Sequence, residues 1–144
     1  MAIKKLVIKP TTFTQNYGVQ TAHVYKGFSS SKPSQNFKTY DIECVRTDII
    51  NQFNTRKGER VMNPNFGTII WDTIFEPLTD ATRSAIAADI REILNNEPRI
   101  ITEEVKVDQY QSGILLELTV RYRTNNLSSV IKMSFDRELG LIAG

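Results

Sequence analysis

The 144-residue chain contains one cysteine, one histidine and one tryptophan. Cys44 has no second cysteine to bridge with and no companion at metal-ligand spacing. That removes a disulfide framework and a zinc site, and fits a reducing, cytosol-like folding environment. His23 stands in a polar stretch with no acid near it in sequence, so neither a nucleophilic triad nor a histidine metal site is expected. No run approaches the roughly 18 consecutive apolar residues of a membrane span, and Met1 to Ile8 is too soon interrupted by lysines to serve as a signal peptide. A soluble protein without membrane partners is the expectation. There is no GxxxxGK[ST] loop and no GxGxxG between a strand and a helix, which excludes phosphate cradling and the nucleotide enzymes built on it. No internal repeat is present, so a solenoid or propeller is disfavoured, and no cofactor is expected.

Acidic residues are missing altogether before Asp41. That stretch carries Lys4, Lys5, Lys9, Lys26, Lys32 and Lys38, whereas all 16 acids lie from Asp41 onward. The chain reads as a basic arm joined to a more acidic body. The lysines are spread out, with no arginine and no dense patch for tracking phosphates, so nucleic acid is a poor candidate partner and an acidic protein surface a better one. Residues 1–38 also carry Pro10, Gly18, Gly27 and Pro33 and show no sustained apolar period, which predicts an extended arm. Lys4 to Lys9 could pair as an edge strand. Phe13, Tyr17, Tyr25, Phe28 and Phe37 are more aromatics than a free linker needs, and either pack locally or dock on a neighbour.

A chain of this length supports one domain burying roughly 70% of the surface its unfolded form exposes, here placed at residues 39–144. Ile42, Val45, Ile49, Ile50 and Phe53 share a helical face, with Asp41 as a candidate N-cap, predicting a helix over about 41–54 with Cys44 as a small core residue. Residues 68–75 favour a strand by propensity but place Ile70/Ile74 and Trp71/Phe75 at helical spacing, predicting a short helix. Thr79 or Asp80 then caps a long helix with Ile86, Ile90, Ile93 and Leu94 on one stripe, ending before Pro98. Three alternating runs follow. One sets Ile101, Val105 and Val107 at one parity, the next runs from Ile114 to Tyr122, and the last from Leu127 to Phe135. The predicted class is α+β: an antiparallel β-meander with two main amphipathic helices on one face, plus the extended basic N-terminal arm. Leu127 to Phe135 would be the closing strand, with a free edge.

Paired carboxylates are the remaining route to catalysis, since glycoside hydrolysis needs two carboxyl groups roughly 5–10 Å apart. Glu103 and Glu104 are adjacent on a strand and should face opposite ways; nothing pairs Glu76, Glu92, Glu97 or Glu117 in sequence. Three charged turns sit at element boundaries: Thr55-Arg56-Lys57-Gly58-Glu59-Arg60, Phe75-Glu76-Pro77 and Glu97-Pro98-Arg99. They read either as punctuation, with Gly58 accepting a left-handed conformation and the prolines flanking helices, or as binding elements.

Taken in order, the first turn, then Asn63-Pro64-Asn65-Phe66-Gly67, then Phe75-Glu76-Pro77-Leu78-Thr79, then an amphipathic helix running into Asn96-Glu97-Pro98-Arg99-Ile100, resemble the family of phage baseplate wedge proteins. That family extends to a baseplate component of type VI secretion machines and to other contractile injection systems. The resemblance covers about residues 40 to 135. It implies a non-enzymatic structural subunit of the virion's tail baseplate, assembled in the host cytoplasm. It further implies contacts to other wedge subunits and to the tail sheath protein, whose first ring is laid on it. Glu97, Pro98 and Arg99 are then the contact to the wedge core bundle, with Arg99 offering its donor fork to a neighbour. Arg56, Gly58, Arg60, Phe75, Glu76 and Pro77 are further candidate contact residues, and Val130 and Lys132 lie on the strand expected to join the sheath's β-network. The alternatives are the type VI component and a lysozyme-type glycoside hydrolase, a label some members have carried but which the residues do not support. Residues 1 to about 38 match no family pattern and are left as a candidate contact to tail tube or hub proteins.

Overall fold

The structure is a computed structural model that describes residues 23–29 and 37–144. The strand expected at Lys4 to Lys9 and the aromatics Phe13 and Tyr17 lie outside the described residues. Two short strands come first, β1 (Lys26–Phe28) and β2 (Lys38–Tyr40), paired antiparallel as a ribbon. The body comprises helices α1 (Asp41–Asn54), α2 (Ile70–Thr73) and α3 (Asp80–Asn95). Strands β3 (Ile100–Tyr110), β4 (Gly113–Tyr122), β5 (Ser128–Asp136) and β6 (Gly140–Ala143) complete it. These four form one antiparallel sheet in the order β3-β4-β5-β6. The expected boundary between arm and body, at residue 38, falls inside β2.

Each helix forms where the apolar stripe runs and stops where the backbone chemistry changes. In α1 the stripe Val45, Ile49 and Phe53 is buried, with Cys44 beside it. Thr55 ends the helix in an extended conformation, its N–H donating to the Gln52 carbonyl at 3.2 Å. Asp41 is not the N-cap; Tyr40 is, and Asp41 takes the unusual positive φ of 46° as the first helical residue. Its carboxylate turns back to accept the N–H groups of Val24 (2.8 Å) and Tyr25 (3.1 Å), so it pins the ribbon instead of capping its own helix. Capping of α3 is local: the Thr79 hydroxyl accepts from the Thr82 N–H. The short helix α2 survives because Ile70 and Ile74 are buried while Trp71 donates its indole N–H to the Phe53 carbonyl at 2.9 Å and sets its ring edge-on to Phe135.

The stripes of α1 and α3 close over the inward residues of the sheet, among them Leu116, Leu118 and Val120 of β4 and Ile131, Met133 and Phe135 of β5, in one core. Each such side chain contributes about 1.5–3 kcal/mol relative to exposure. The opposite sheet face is polar and paired across strands, Arg121 with Glu103 and Lys132 with Glu117.

Two expectations for the sheet are corrected. A β-bulge falls between Thr102 and Glu104, making Glu103 an extra residue and switching parity along β3. Ile100, not Ile101, is therefore the buried partner of Val105 and Val107, and Ile101 is exposed. The bulge also puts Glu103 and Glu104 on the same open face, where they pair with Arg121 and Lys106. In addition, β5 is not the last strand. After the Asp136–Leu139 turn, β6 returns along β5 and covers Met133 to Asp136. Only the first half of the β5 edge, Ser128 to Ile131, has no neighbouring strand within the described residues.

Candidate protein interaction surfaces

The Glu97-Pro98-Arg99 turn links the end of α3 to β3. Arg99 sends Nε to Glu97 Oε1 (2.6 Å), Nη2 to Glu97 Oε2 (2.8 Å) and Nη1 to Asp48 Oδ2 of α1 (2.9 Å). Its guanidinium carbon lies 5.6 Å from the Tyr25 ring centroid, so the same cation reaches the segment before β1. Hydrogen bonds from Arg99 hold the Glu97 carboxyl below the ordinary range against the opposing effect of burial, and the same bonds push Arg99 upward. The expected solvent-facing fork is corrected here: the Arg99 side chain is only 21% exposed. Among the described residues three of its five N–H groups are engaged, leaving two, one on each terminal nitrogen. Pro98 is exposed beside them.

The charged turn after α1 opens a loop that closes on itself. Arg56 and Thr68 bridge, Lys57 N–H donates to Thr68 O, Thr68 N–H to Thr55 O, and Gly58 N–H to Pro64 O at 2.8 Å. Gly67, at φ +114°, lies so close that a Cβ there would sit 2.5 Å from the Thr55 carbonyl oxygen, which only glycine permits. Arg56 pairs with Asp72 and Arg60 lies 4.0 Å from the Phe66 ring centroid. Val61 and Met62 project from the tip, almost fully exposed. Phe75, Glu76 and Pro77 are exposed together at the α2–α3 junction, and Ile74 just before them gives its carbonyl to Arg137 Nε of the β5–β6 turn.

Beneath that loop is a polar centre that the sequence reading did not single out. Asp89 of α3 is buried and accepts from Lys57 Nζ (2.9 Å), Thr68 Oγ1 (3.0 Å) and the Ile69 N–H (3.1 Å). The hydrogen bond to Asp89 is the main reason Lys57 titrates above its ordinary value, against the opposing effect of burial. One signal was present in the sequence: Asp89 falls on the Ile86–Ile90–Ile93 stripe, where a carboxylate must have a partner. Asp48 gave no comparable signal, because only the fold brings it to Arg99.

On the sheet edge, Gly144 N–H donates to the Lys132 carbonyl at 3.0 Å. Backbone groups alternate sides along an antiparallel strand, so Lys132, Val130 and Ser128 all turn their N–H and C=O outward. The Lys132 carbonyl is occupied; among the described residues the Val130 backbone has no partner. The Val130 side chain stands half exposed on the open sheet face.

His23, the lone histidine, has Nδ1 2.8 Å from Asp41 Oδ2 and stacks on Tyr40, so it belongs to the ribbon's attachment. Among the described residues no group of three or more His, Cys, Asp or Glu could hold a metal ion, and no helix is long and apolar enough to cross a membrane.

Comparison with known proteins agrees with this architecture. A curated relative, baseplate wedge protein gp25 of Enterobacteria phage T4, is 27% identical over 86 residues, which are 59% of this chain and 65% of that protein. The chain thus aligns with just under two thirds of that relative's length. A solved structure from Geobacter sulfurreducens, provisionally described as a tail lysozyme, superposes with a TM-score of 0.57 at 28% identity, covering 64% of this chain and 86% of that one. The model of the family described as baseplate wedge protein gp25 matches residues 40–127, from the end of the ribbon to the start of β5, and the chain belongs to that family.

Proposed function

We propose that this chain is a non-catalytic structural subunit of a contractile-tail baseplate, carried in the virion tail and assembled in the host cytoplasm. It docks on neighbouring wedge subunits and offers the uncovered half of the β5 edge to tail sheath. Family membership supports the baseplate role. The observation that carries the sheath contact is the outward-turned backbone of Ser128 and Val130, which lies beyond the reach of β6 among the described residues. An incoming strand there would run on in line with β6 and satisfy the free N–H and C=O groups. The Glu97-Pro98-Arg99 turn supplies the wedge contact through exposed Pro98 and the two remaining Arg99 donors. Arg56, Arg60 and Phe75 stand on the adjoining turns as further contacts.

A hydrolytic role fits poorly. A general acid on a glycosidic oxygen needs a raised pKa. Glu97, Glu103 and Glu117 are each held below the ordinary carboxylate range, chiefly by hydrogen bonds from Arg99, Arg121 and Lys132 respectively.

The test is a baseplate reconstitution with Val130→Pro, which removes one outward donor. The variant should enter the wedge as the unaltered chain does, yet fail to start sheath. Normal sheath growth on the variant would move that contact elsewhere, and turnover of purified peptidoglycan by the isolated protein would refute the non-catalytic reading.

A further inference from the structure

Beside the Glu97 turn, between the braced loop and the C-terminal ends of α1 and α3, lies a cleft of about 310 Å³. Gln52 of α1, Asn63 and Asn65 of the loop and Asn96 at the end of α3 line it, over apolar surface from Phe66 and Ile93, with Glu97 at its margin. None of the four carboxamide side chains makes a hydrogen bond among the described residues. That is unexpected for Asn63 and Asn65, because asparagines in turns ordinarily bond their own backbone.

The walls are held before any ligand arrives. The loop is braced by the Gly58–Pro64, Lys57–Thr68 and Thr68–Thr55 backbone bonds, and one face of Phe66 is covered by Arg60. The cleft also carries no free charge, since both oxygens of Glu97 are taken by Arg99. Phosphates and carboxylates find no cation there, and a metal ion finds no free carboxylate. A neutral ligand with alternating donors and acceptors does find a complement, and the polypeptide main chain is such a ligand. Each carboxamide presents a carbonyl oxygen that accepts and an NH2 group that donates, complementary to the N–H and C=O of a peptide unit, so it can bond a backbone at two points whatever the side chains.

We propose that this cleft binds a short extended main-chain segment of a neighbouring baseplate protein, with one small apolar side chain set against Phe66 and Ile93. Naming the neighbour rests on the baseplate reading above; the preference for a peptide backbone does not.

The probe is a set of overlapping ten-residue peptides covering the tail proteins encoded beside this chain, titrated against the whole protein. At least one should bind. Methylating a central backbone nitrogen of that peptide should weaken it by about tenfold, as expected for one lost hydrogen bond, while alanine at most positions changes little. Asn65→Leu with Asn96→Leu should abolish binding and leave thermal unfolding unchanged, because both side chains are exposed. No binding by any peptide, or binding lost on alanine substitution but not on methylation, would overturn the proposal. Binding of purified peptidoglycan fragments that the same double variant removes would also overturn it, as a glycan site. If the peptides bind but the unaltered chain never enters a baseplate, the baseplate reading fails alone; if it enters and no peptide binds, the cleft proposal fails alone.

Discussion

Removing the Arg99 guanidinium would leave Glu97 with only the Arg99 backbone N–H, would unpair the half-exposed Asp48, and would release Tyr25. Arg99→Ala should therefore destabilise the isolated protein by about 1–3 kcal/mol, the range for leaving hydrogen-bonded polar groups unpaired. A loss within experimental error in urea unfolding would show that the bonds do not persist in solution. The pH dependence has a definite sign. Glu97 is held below its ordinary 4.5, so its contribution is present above that value and is lost as pH falls through the lower native one. Lys57 behaves oppositely: raised above 10.5, it contributes fully below that value and loses its contribution as pH rises through the native one. Lys57→Ala leaves Asp89 buried with only the Thr68 hydroxyl and the Ile69 N–H as partners. It should cost about 1–3 kcal/mol, less than a fully buried pair would, because Lys57 is itself a third exposed. Urea titration of the two variants at pH 7 checks both values.

At the level of elements, the β5 edge is the part whose backbone chemistry decides what can be added. Proline at Val130 removes a donor that faces outward, whereas proline at Ile131 removes one given to β4 and breaks the ladder inside the sheet. Val130→Pro should be the milder change, and equal losses would mean that the strand is rotated from the register described. Hydrogen exchange on the unmodified chain checks the same point, with the Val130 amide exchanging fast and the Ser134 amide, which faces β6, protected. The helices and the three long strands were legible in the sequence because Val45–Ile49–Phe53, Ile86–Ile90–Ile93 and the alternation from Ile114 to Tyr122 have unbroken periods. The bulge at Glu103 was not, since two adjacent glutamates hide which residue is the extra one. Neither was β6, whose four residues Gly140-Leu141-Ile142-Ala143 are too short to show alternation. The Arg99 turn was legible as a motif, but not its inward pairing, because Asp48 lies a whole helix and loop away in sequence.

For the molecule as a whole, the described chain has two parts of unequal strength. The sheet and helices share one core, but the ribbon has two strands of three residues, and its aromatics Phe28 and Phe37 stack on each other while staying exposed. What ties it to the body is specific. Gly27 lies against the Cys44 thiol so closely that a Cβ there would meet the sulfur at 2.6 Å, Tyr25 lies near Arg99, and the Asp41 carboxylate holds the segment before β1. The ribbon should therefore open without unfolding the sheet. Asp41 is the group on which that opening turns: the hydrogen bond with His23 and then those from Tyr25 and Val24 hold it below its ordinary 3.8. Its hold is present above 3.8 and is lost as pH falls through the lower native value. In native-state hydrogen exchange, Asp41→Ala should speed the ribbon amides selectively and leave those of β4 at the unmodified rate. If instead the ribbon and β4 amides exchange through one common opening in both proteins, the ribbon is an integral part of the core.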